Sequence, residues 1–324
     1  MRAKYLVRRL AQSVLTLWVI ATITFVLFRL LPGDPTYALL DPSFPPDVRE
    51  LLRQRFGLDR PLWIQYLHFL GNALRGEFGR SFFYHQPAMS IIREKLLNTV
   101  VLTAAAFLFA YTLGILGGVL LAWRRGSRLE LAGVTLALVF RSAPLFWTGM
   151  LSIMLFSFAL DWLPHAGLRT PGYAASGVLD KYLSWDFLTH LIQPAVVSGL
   201  YFLGFPLLLL RNTMLEILGE DYIELAKAKG LAERRIMFHH AARNALLPVV
   251  TAASIYIALA AGGIAVVEYV FSWPGLGLEI VAATQRRDFP LAQAAFLLLG
   301  TMVVVMNFLT DLLYGYLDPR ISVR

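Results

Sequence analysis

The sequence predicts an all-α integral membrane protein with six transmembrane helices. The chain of 324 residues is 57% hydrophobic and only 15% charged, whereas soluble globular proteins carry about 25% charged residues. It also contains six separate apolar segments, each long enough to cross about 30 Å of hydrocarbon as a helix. Together these observations favour a polytopic membrane protein over a soluble one.

The predicted spans are separated by polar connections of unequal length. They cover residues 10–31, 100–123, 131–160, 189–210, 249–270 and 291–314. The first span follows four basic residues, as the apolar region of a secretory signal peptide would. Its apolar run is longer than that of a signal peptide, however, and no A-x-A cleavage sequence follows it. We therefore expect this segment to be retained in the membrane.

The distribution of lysine and arginine predicts how the spans are oriented. Basic residues are concentrated in residues 1–9, in the sequence RRGSR after the second span, and in the loop 211–248. If the chain crosses the membrane six times, these three segments lie on the same side. That side is expected to be the cytoplasm, because lysine and arginine are enriched in cytoplasmic connections. The N-terminus and the C-terminal residues 317–324 are therefore expected in the cytoplasm. The net charge of +8 has the same explanation, so no nucleic-acid partner is expected.

The connection of residues 32–99 falls on the external side of the predicted membrane. It contains a predicted amphipathic helix in the sequence PPDVRELLRQRF, with Pro46 and Asp47 near its start and Gly57 at its end. Its eight basic residues run against the charge rule, but long translocated loops follow that rule poorly. We expect a structured external region here.

The residue content argues against catalysis in this chain. There is no cysteine for a disulfide, a thiolate metal site or a nucleophile, and no Gly-Lys pair, which a phosphate-binding P-loop requires. His239 and His240 would point about 100° apart on a helix, so they would not face one metal ion together. Neither H-E-x-x-H nor G-x-S-x-G occurs in the sequence. No catalytic residue, metal site or cofactor is therefore expected.

A compact polar stretch, EDYIELAKAKGLAERRIMFHHAARNALLP, occupies residues 220–248 between the fourth and fifth spans. Acidic residues in its first turn, followed by Lys227 and Lys229, match the two ends of the macrodipole of a first helix. Gly230 stands where a residue in the left-handed conformation would end that helix. The sequence therefore predicts a stiff helix that stops at a defined turn.

A second helix is predicted from about Ala232 to Asn244. Pro248 is expected to mark the entry to the fifth span, because proline disfavours helical geometry at the preceding residue, Leu247. The simplest alternative for the whole stretch is a solvated, positively charged loop. Its apolar side chains are too many for a helix pair exposed only to water, so lipid headgroups or another protein should cover them.

The sequence ELAKAKG within this stretch resembles the E-A-A-x-x-x-G loop of permease subunits of bacterial ATP-binding-cassette importers. Glu224, Ala226 and Gly230 stand at the matching positions, and Leu225 replaces the first alanine. In that family the loop, called the coupling helix, docks into a cleft on a separate ATPase subunit. The longer spacing from Gly230 to Pro248 resembles the branch of the family that imports di- and oligopeptides.

Other segments extend the resemblance to the B-type permease of this branch over nearly the whole chain. They are FRLLPGDP, FGLDRPLWIQYLHFLGNALRGEFGRS, RSAPLFWTGMLSIMLFS, DWLPHAG, VVEYVFSWPGLG, RRDFPLAQ and NFLTDLLYGYLDPRI. The resemblance implies a type I importer fold in the bacterial inner membrane. It also implies a heterodimer with a homologous second permease subunit, two ATP-binding ATPase subunits and an external binding protein that delivers a peptide.

Two alternatives to peptide import stay open from the sequence. Similar permeases carry nickel, glutathione or oligosaccharides, and selectivity in this architecture lies largely in the binding protein. The competing class is a secondary transporter or channel that needs no ATPase. Its sign would be inverted repeats, or broken spans with paired intramembrane acids, and the sequence has no such pattern.

Two groups of residues are candidates for function. The residues expected to dock the ATPase are Glu224, Leu225, Ala226, Lys227, Gly230, Leu231, Arg234 and Arg235. The residues expected to line a pathway are Arg141, Ser142 and Glu268. Arg141 lies about 16 Å along the third span, where a charge costs at least about 2.5 kcal/mol and should face a bundle interior or a water-filled cavity. A structural ion pair with Glu268 or with the partner subunit is the alternative.

Two further segments predict local geometry. In GILGG, Gly114 and Gly118 lie four residues apart on one helical face, which permits close approach of a second helix. In FSWPGLG, Pro274 and two glycines predict that the chain turns after the fifth span and does not continue the helix. Glu268 precedes this turn, so it could lie at the external interface.

Overall fold

The structure, a computed structural model, describes residues 3–30, 60–173 and 177–317. Its α-helices are α1 (Ala3–Leu30), α2 (Leu62–Arg75), α3 (Ala88–Trp123), α4 (Arg128–Ser142), α5 (Leu145–Ser152), α6 (Val178–Leu183), α7 (Trp185–Ile217), α8 (Asp221–Ala228), α9 (Glu233–Arg235), α10 (Ala242–Val270), α11 (Leu276–Gln285) and α12 (Phe289–Leu317). Two π-helical segments, Ile153–Ala159 and Ile236–Ala241, directly follow α5 and α9. Within the described ranges the β-pairing is one isolated bridge, so the all-α prediction is confirmed for them. The predicted amphipathic helix PPDVRELLRQRF lies outside these ranges.

Several helices have the length and composition of membrane spans, so the chain is a multi-pass membrane protein. Over the part of the chain that was described, four helices qualify: Leu6–Arg29 within α1, the whole of α3 and α7, and Phe289–Leu309 within α12. The count is five if the bent pair formed by α4 and the helix from Leu145 to Ala159 is one span. The predicted fifth span lies within α10. The total of six spans remains a prediction.

The third predicted span, residues 131–160, is not one helix. The helix axes before and after Ala143 and Pro144 differ by 102°. Proline has no N–H to continue the helical ladder and pushes the preceding residue out of helical geometry, and Ala143 adopts φ −66° and ψ 134°. The predicted span over residues 131–160 therefore contains a bend that the prediction did not include.

The bent pair does not contain two facing acids. Glu130 is its single acidic residue, close to the start of α4. It accepts hydrogen bonds from Arg211 of α7, with Nε at 2.9 Å, and from the backbone N–H of Gly126 at 2.5 Å. The ion pair therefore fastens the start of α4 to α7.

The polar loop predicted for residues 211–248 is shorter in the structure, because helices enter it from both sides. α7 continues to Ile217, and α10 already begins at Ala242 and runs through Pro248. The expected break at Leu247 is wrong. A single proline removes only one hydrogen bond of a long helix, and the complete burial of Ala245 and Val249 holds the flanking turns in place.

One compact unit combines residues 1–98 with residues 275–324. Within it α1 packs closely on α12, since a β-carbon placed on Gly300 would lie 2.8 Å from Cγ2 of Ile20. Asp288 is buried before α12 and accepts hydrogen bonds from the Ser81 hydroxyl and from the N–H of Phe82 at 3.1 Å. These contacts fix the connection between α2 and α3 against the start of α12.

The second compact unit comprises residues 99–274, with α7 in contact with α3, α4 and α10. A β-carbon on Gly114 would lie 2.7 Å from Cγ of Pro206, and one on Gly118 would lie 2.9 Å from the carbonyl oxygen of Leu207. The prediction that GILGG permits close helix approach is thus confirmed. Both glycines serve packing between α3 and α7.

The segment after α10 turns as predicted. The helix ends at Val270, and Ser272 has a positive φ of 47°, which is rare for a residue with a side chain. Trp273 is completely buried and its ring lies 5.8 Å from the ring of Phe187. The turn is therefore fixed by a large buried side chain as well as by Pro274.

Candidate functional site

The first candidate site is the segment of residues 220–241, called the 220–241 element below. Its helix α8 carries Asp221 and Glu224 in the first turn and Lys227 in the last, which complements the helix macrodipole. Gly230 follows with φ 74°, so the predicted left-handed position is confirmed. Ala232 is extended and leads into α9. The element is thus a short helix joined by a defined turn to the start of a helical run that continues into α10, so the predicted second helix does not end near Asn244.

One face of the 220–241 element is buried against the membrane helices. Ile223 is completely buried, and Ile236 and Met237 are 3% exposed. These residues join a single apolar cluster with Val119 and Ala122 of α3, Leu210 and Met214 of α7, and Ala245 and Val249 of α10. The element is held by the ends of three long helices, which makes it stiff.

The opposite face of the element is open to solvent in the single chain. Leu225 is 56% exposed and Phe238 46% exposed. Among the residues predicted to dock an ATPase, Glu224, Lys227, Gly230, Arg234 and Arg235 are exposed as well. Ala226 is buried and Leu231 half-buried, so these two support the element from beneath. An exposed surface that combines leucine and phenylalanine with charges fits a protein partner better than water.

A contact that sequence reasoning missed connects the element to Trp123 of α3. The indole Nε1 of Trp123 donates to Oε1 of Glu233 at 2.9 Å. The Trp123 ring also meets the ring of Phe238 edge to face at 6.4 Å. A cavity of about 440 Å³ lies beside this contact, bordered by α3, α7 and the 220–241 element. One sequence signal could have drawn attention to Trp123, because this tryptophan ends an apolar run and directly precedes two arginines.

The second candidate site surrounds Arg141 in the last turn of α4. Its guanidinium donates to the hydroxyl of Tyr256 on α10 at 3.0 Å. The Tyr256 ring is stacked on Phe205 of α7, with centroids 3.8 Å apart. Three helices therefore contribute to one polar and aromatic cluster, and neither Tyr256 nor Phe205 was predicted to belong to it.

Close backbone approach brings Arg141 to this position. A β-carbon on Gly204 of α7 would lie 3.0 Å from the carbonyl oxygen of Ala137 and 3.4 Å from Cβ of Arg141. Ser142, the other predicted pathway residue of α4, donates to the carbonyl oxygen of Val139 at 3.1 Å. Both Arg141 and Ser142 are exposed in the single chain.

Glu268 lies close to the end of α10, which stops at Val270. It is completely buried and accepts a hydrogen bond of 2.5 Å from the hydroxyl of Thr99 on α3. Arg141 contacts Tyr256 instead, so the suggested ion pair between Arg141 and Glu268 is not formed. A buried carboxylate is stable only with hydrogen-bond donors, and Thr99 supplies one.

Comparison with protein families gives two matches that together cover most of the chain. Residues 114–323 match the family described as "Binding-protein-dependent transport system inner membrane component". Residues 2–103 match the N-terminal family of the same transport-system membrane component. The first match includes the 220–241 element, Arg141 and Glu268.

Individual relatives match over almost their full length. The chain is 38% identical to the di/tripeptide transport system permease protein DppB of Pseudomonas aeruginosa, with 98% of each chain covered. It is 37% identical to the dipeptide transport system permease protein DppB of Escherichia coli, also over 98% of each chain. A putative peptide permease protein of Brucella suis is 38% identical over 99% of each chain.

Proposed function

Because this chain belongs to the family of binding-protein-dependent transport system inner membrane components, we propose that it is the permease subunit of an ATP-driven importer of di- or oligopeptides. The relatives named as peptide permeases support the cargo class, since they align along the whole chain at 37–38% identity. The chain supplies the membrane passage and no ATPase site. ATP hydrolysis takes place in partner subunits.

The observation that carries this proposal is the two-sided 220–241 element. Its inner face is anchored on α3, α7 and α10, while its outer face exposes leucine, phenylalanine and charges. A flexible loop would absorb a push from a partner, but a stiff element anchored on three helices passes the push to all of them. Such an element suits a coupling helix that converts ATPase closure into movement of the spans.

The contact with the ATPase is assigned to the outer face of this element. Glu224, Leu225, Lys227, Gly230, Arg234 and Arg235 make the contact, and Ala226 and Leu231 support it from the inner side. Leu225 is the central residue of this assignment because it is the most exposed large apolar side chain of α8. Burial of such a side chain contributes roughly 1.5–3 kcal/mol to association.

The assembly contains partners on both sides of the inner membrane. A homologous second permease subunit completes the pore as a heterodimer, two ATPase subunits bind on the cytoplasmic side, and a binding protein delivers cargo outside. The chain has a type I importer fold with six spans and cytoplasmic termini. The connection of residues 32–99 lies on the external side, and lipid surrounds the spans.

Arg141 is proposed to line the passage together with Ser142, and Glu268 to act in gating. A peptide cargo ends in a carboxylate, which a fixed guanidinium attracts in a medium of low dielectric constant. Tyr256 holds Arg141 by a hydrogen bond between neutral and charged groups, so the positive charge remains available to the cargo. Glu268 is buried between α10 and α3, where a shift of either helix would change its surroundings.

The docking assignment is tested by purifying the chain with its ATPase and second permease subunit. Leu225→Glu places a carboxylate in the proposed contact and should lower the amount of ATPase recovered about tenfold. Leu74→Glu is the matched control, because Leu74 is 91% exposed on α2, outside the element. Equal recovery of the ATPase with wild type and Leu225→Glu would contradict the docking assignment.

The cargo is tested separately with the binding protein of the same importer. Calorimetric titration with di- and oligopeptides should give binding, whereas titration with nickel, glutathione and oligosaccharides should not. Binding of one of these other cargoes alone would keep the importer and change its substrate class. Transport by the permease chain alone in liposomes would instead indicate a secondary transporter.

A further inference from the structure

Two polar contacts join α3 to the helical run of residues 233–270. α9, the π-helical segment and α10 follow one another without interruption in this run. Its first residue, Glu233, accepts a hydrogen bond from Trp123, the last residue of α3, at 2.9 Å. Near its other end, Glu268 accepts a hydrogen bond from Thr99 at 2.5 Å. Two long helices are thus fastened to each other near both ends of the run.

We propose that α3 and residues 233–270 move as one strut, and that Trp123 is the positioning residue through which the 220–241 element moves α3. This inference rests on the proposed coupling function. It adds a specific route, because the element is linked in sequence only to α7 and α10. The apolar cluster already packs the element on α3, and the hydrogen bond from Trp123 to Glu233 adds an oriented contact between them.

The two contacts are far enough apart to carry movement across a membrane. Thr99 and Trp123 are separated by about 36 Å along α3 at the helical rise of 1.5 Å per residue, and the hydrocarbon core of a bilayer is about 30 Å thick. A displacement of Glu233 on the cytoplasmic side therefore reaches a contact near the opposite side. A strut fastened at both ends transmits tilt as well as translation.

The cavity next to Trp123 explains why this hydrogen bond matters. About 440 Å³ between the helix ends and the 220–241 element is not filled by side chains. The pocket is open to solvent, so the side chains that line it have protein neighbours on one side only, and packing fixes this region less firmly than a filled core would. The bond from Trp123 to Glu233 spans the edge of the cavity, since both residues line it.

The hydrogen bond between Trp123 and Glu233, called the joint below, can form in one orientation only. Indole has a single N–H donor and no acceptor, and a carboxylate only accepts, so the bond forms in one orientation. A bond to an ionised acceptor is stronger than one between neutral groups. The edge-to-face contact with Phe238 at 6.4 Å further restricts the ring. At the other end, the contact from Thr99 to Glu268 is completely buried on the glutamate side and forms the firm end of the strut.

The first test compares substitutions that keep or remove the bond in the assembled complex. Trp123→Phe removes the N–H but keeps a ring, and Glu233→Leu removes the acceptor. Both should lower the ratio of peptide uptake to ATP hydrolysed roughly two- to tenfold, the range expected for one hydrogen bond. Glu233→Gln keeps an acceptor oxygen and should preserve most of the ratio.

Matched controls separate this effect from general damage. Trp185→Phe changes a tryptophan that is 77% exposed on α7, and Glu216→Leu removes an exposed carboxylate that does not line the cavity. Neither should change the ratio. ATPase recovery should match wild type in every variant. If Trp123→Phe and Glu233→Leu leave the ratio of uptake to ATP hydrolysis unchanged, the proposed role of this hydrogen bond is wrong. If the wild-type chain fails to bind an ATPase, the proposed function is wrong instead.

The second test restores the joint by chemistry. The chain contains no cysteine, so Trp123→Cys combined with Glu233→Cys introduces a unique pair. Without a crosslink this double variant should transport like Trp123→Phe. A short thiol crosslinker that reducing agent can cleave should raise the ratio of uptake to hydrolysis toward wild type, and reduction should lower it again. Single-cysteine variants treated with the same reagent are the controls.

The crosslink also decides whether the joint stays closed through the transport cycle. Bridging is verified by intact-mass measurement before transport is assayed. Loss of uptake in the bridged protein would mean that the helices must separate, which contradicts a single strut. A pair that no short reagent bridges would contradict the proximity on which the strut depends.

Discussion

Arg141 on α4 donates a hydrogen bond of 3.0 Å to the hydroxyl of Tyr256 on α10. Among the residues that the structure describes, no carboxylate forms an ion pair with this guanidinium. The Tyr256 ring is in turn stacked on Phe205 of α7 at 3.8 Å. A positive charge that costs energy to place in a membrane is thus held in position by a neutral group, which suits a site for an anionic end of the cargo.

Replacement of Arg141 should weaken cargo capture. In the assembled complex Arg141→Leu should raise the KM for dipeptide uptake about tenfold, because a hydrogen bond to a charged group is worth about 1.5–3 kcal/mol. Arg141→Lys retains the charge and should lose less. Arg128→Leu, at the exposed start of the same helix, is the control. Uptake by Arg141→Leu at normal affinity and rate would remove Arg141 from the mechanism.

Removal of the Tyr256 hydroxyl tests whether Arg141 must be positioned. Tyr256→Phe keeps the stacked ring and should raise KM about two- to fivefold, since one hydrogen bond that orients the guanidinium is lost. The thermal midpoint in detergent should stay close to wild type. Tyr269→Phe, an exposed tyrosine on the same helix, should change neither quantity. An unchanged KM for Tyr256→Phe would indicate that Arg141 needs no such support.

Packing of α3 on α7 should be sensitive to one methyl group. Gly118→Ala puts a β-carbon 2.9 Å from the carbonyl oxygen of Leu207, so the two backbones must separate. We expect a loss of about 1–3 kcal/mol in stability, typical of overpacking. Gly71→Ala is the control, because no atom lies within 4 Å of the added carbon. In detergent, the thermal unfolding midpoint of Gly118→Ala should be lower than that of Gly71→Ala. Equal midpoints would show that α3 and α7 lie further apart.

Several of these contacts were predictable from the sequence for simple physical reasons. Gly114 and Gly118 recur at helical spacing, which indicates close approach whichever helix is the partner. Gly230 stands between an acidic start and a new helical pattern, where a left-handed residue is needed. Apolar runs of membrane length also identified α1, α3, α7 and α12 as candidate spans. All of these are local signals.

The features that the sequence did not reveal depend on contacts between distant residues. Trp123 and Glu233 are 110 positions apart, and no periodic pattern relates them. The bend of 102° near Pro144 is different, because the proline is a local signal that hydropathy alone does not register. At Pro248 the sequence predicted a helix break that the structure does not have. Burial of the neighbouring Ala245 and Val249 outweighs the local preference of proline there.

Glu268 should affect transport more than assembly. Glu268→Gln preserves size and an acceptor oxygen but removes the carboxyl group, so residue 268 can no longer take up or release a proton. We expect uptake to fall two- to fivefold at normal recovery of the complex. The Thr99→Val variant lacks the donor and should show the same loss of uptake as Glu268→Gln. The Thr99→Ser variant retains the hydroxyl and should take up peptide at the normal rate. Unchanged uptake and unchanged ATPase coupling in Glu268→Gln would count decisively against a gating role.

We expect this permease to transport only when an ATPase and a binding protein are both present. The most direct measurement is uptake of a radiolabelled dipeptide by proteoliposomes that contain the assembled complex, with binding protein on one side and ATP on the other. Uptake should require both additions and fall to background when either is omitted. Uptake by the permease chain alone, driven by an ion gradient and independent of ATP, would instead identify a secondary transporter that needs no ATPase.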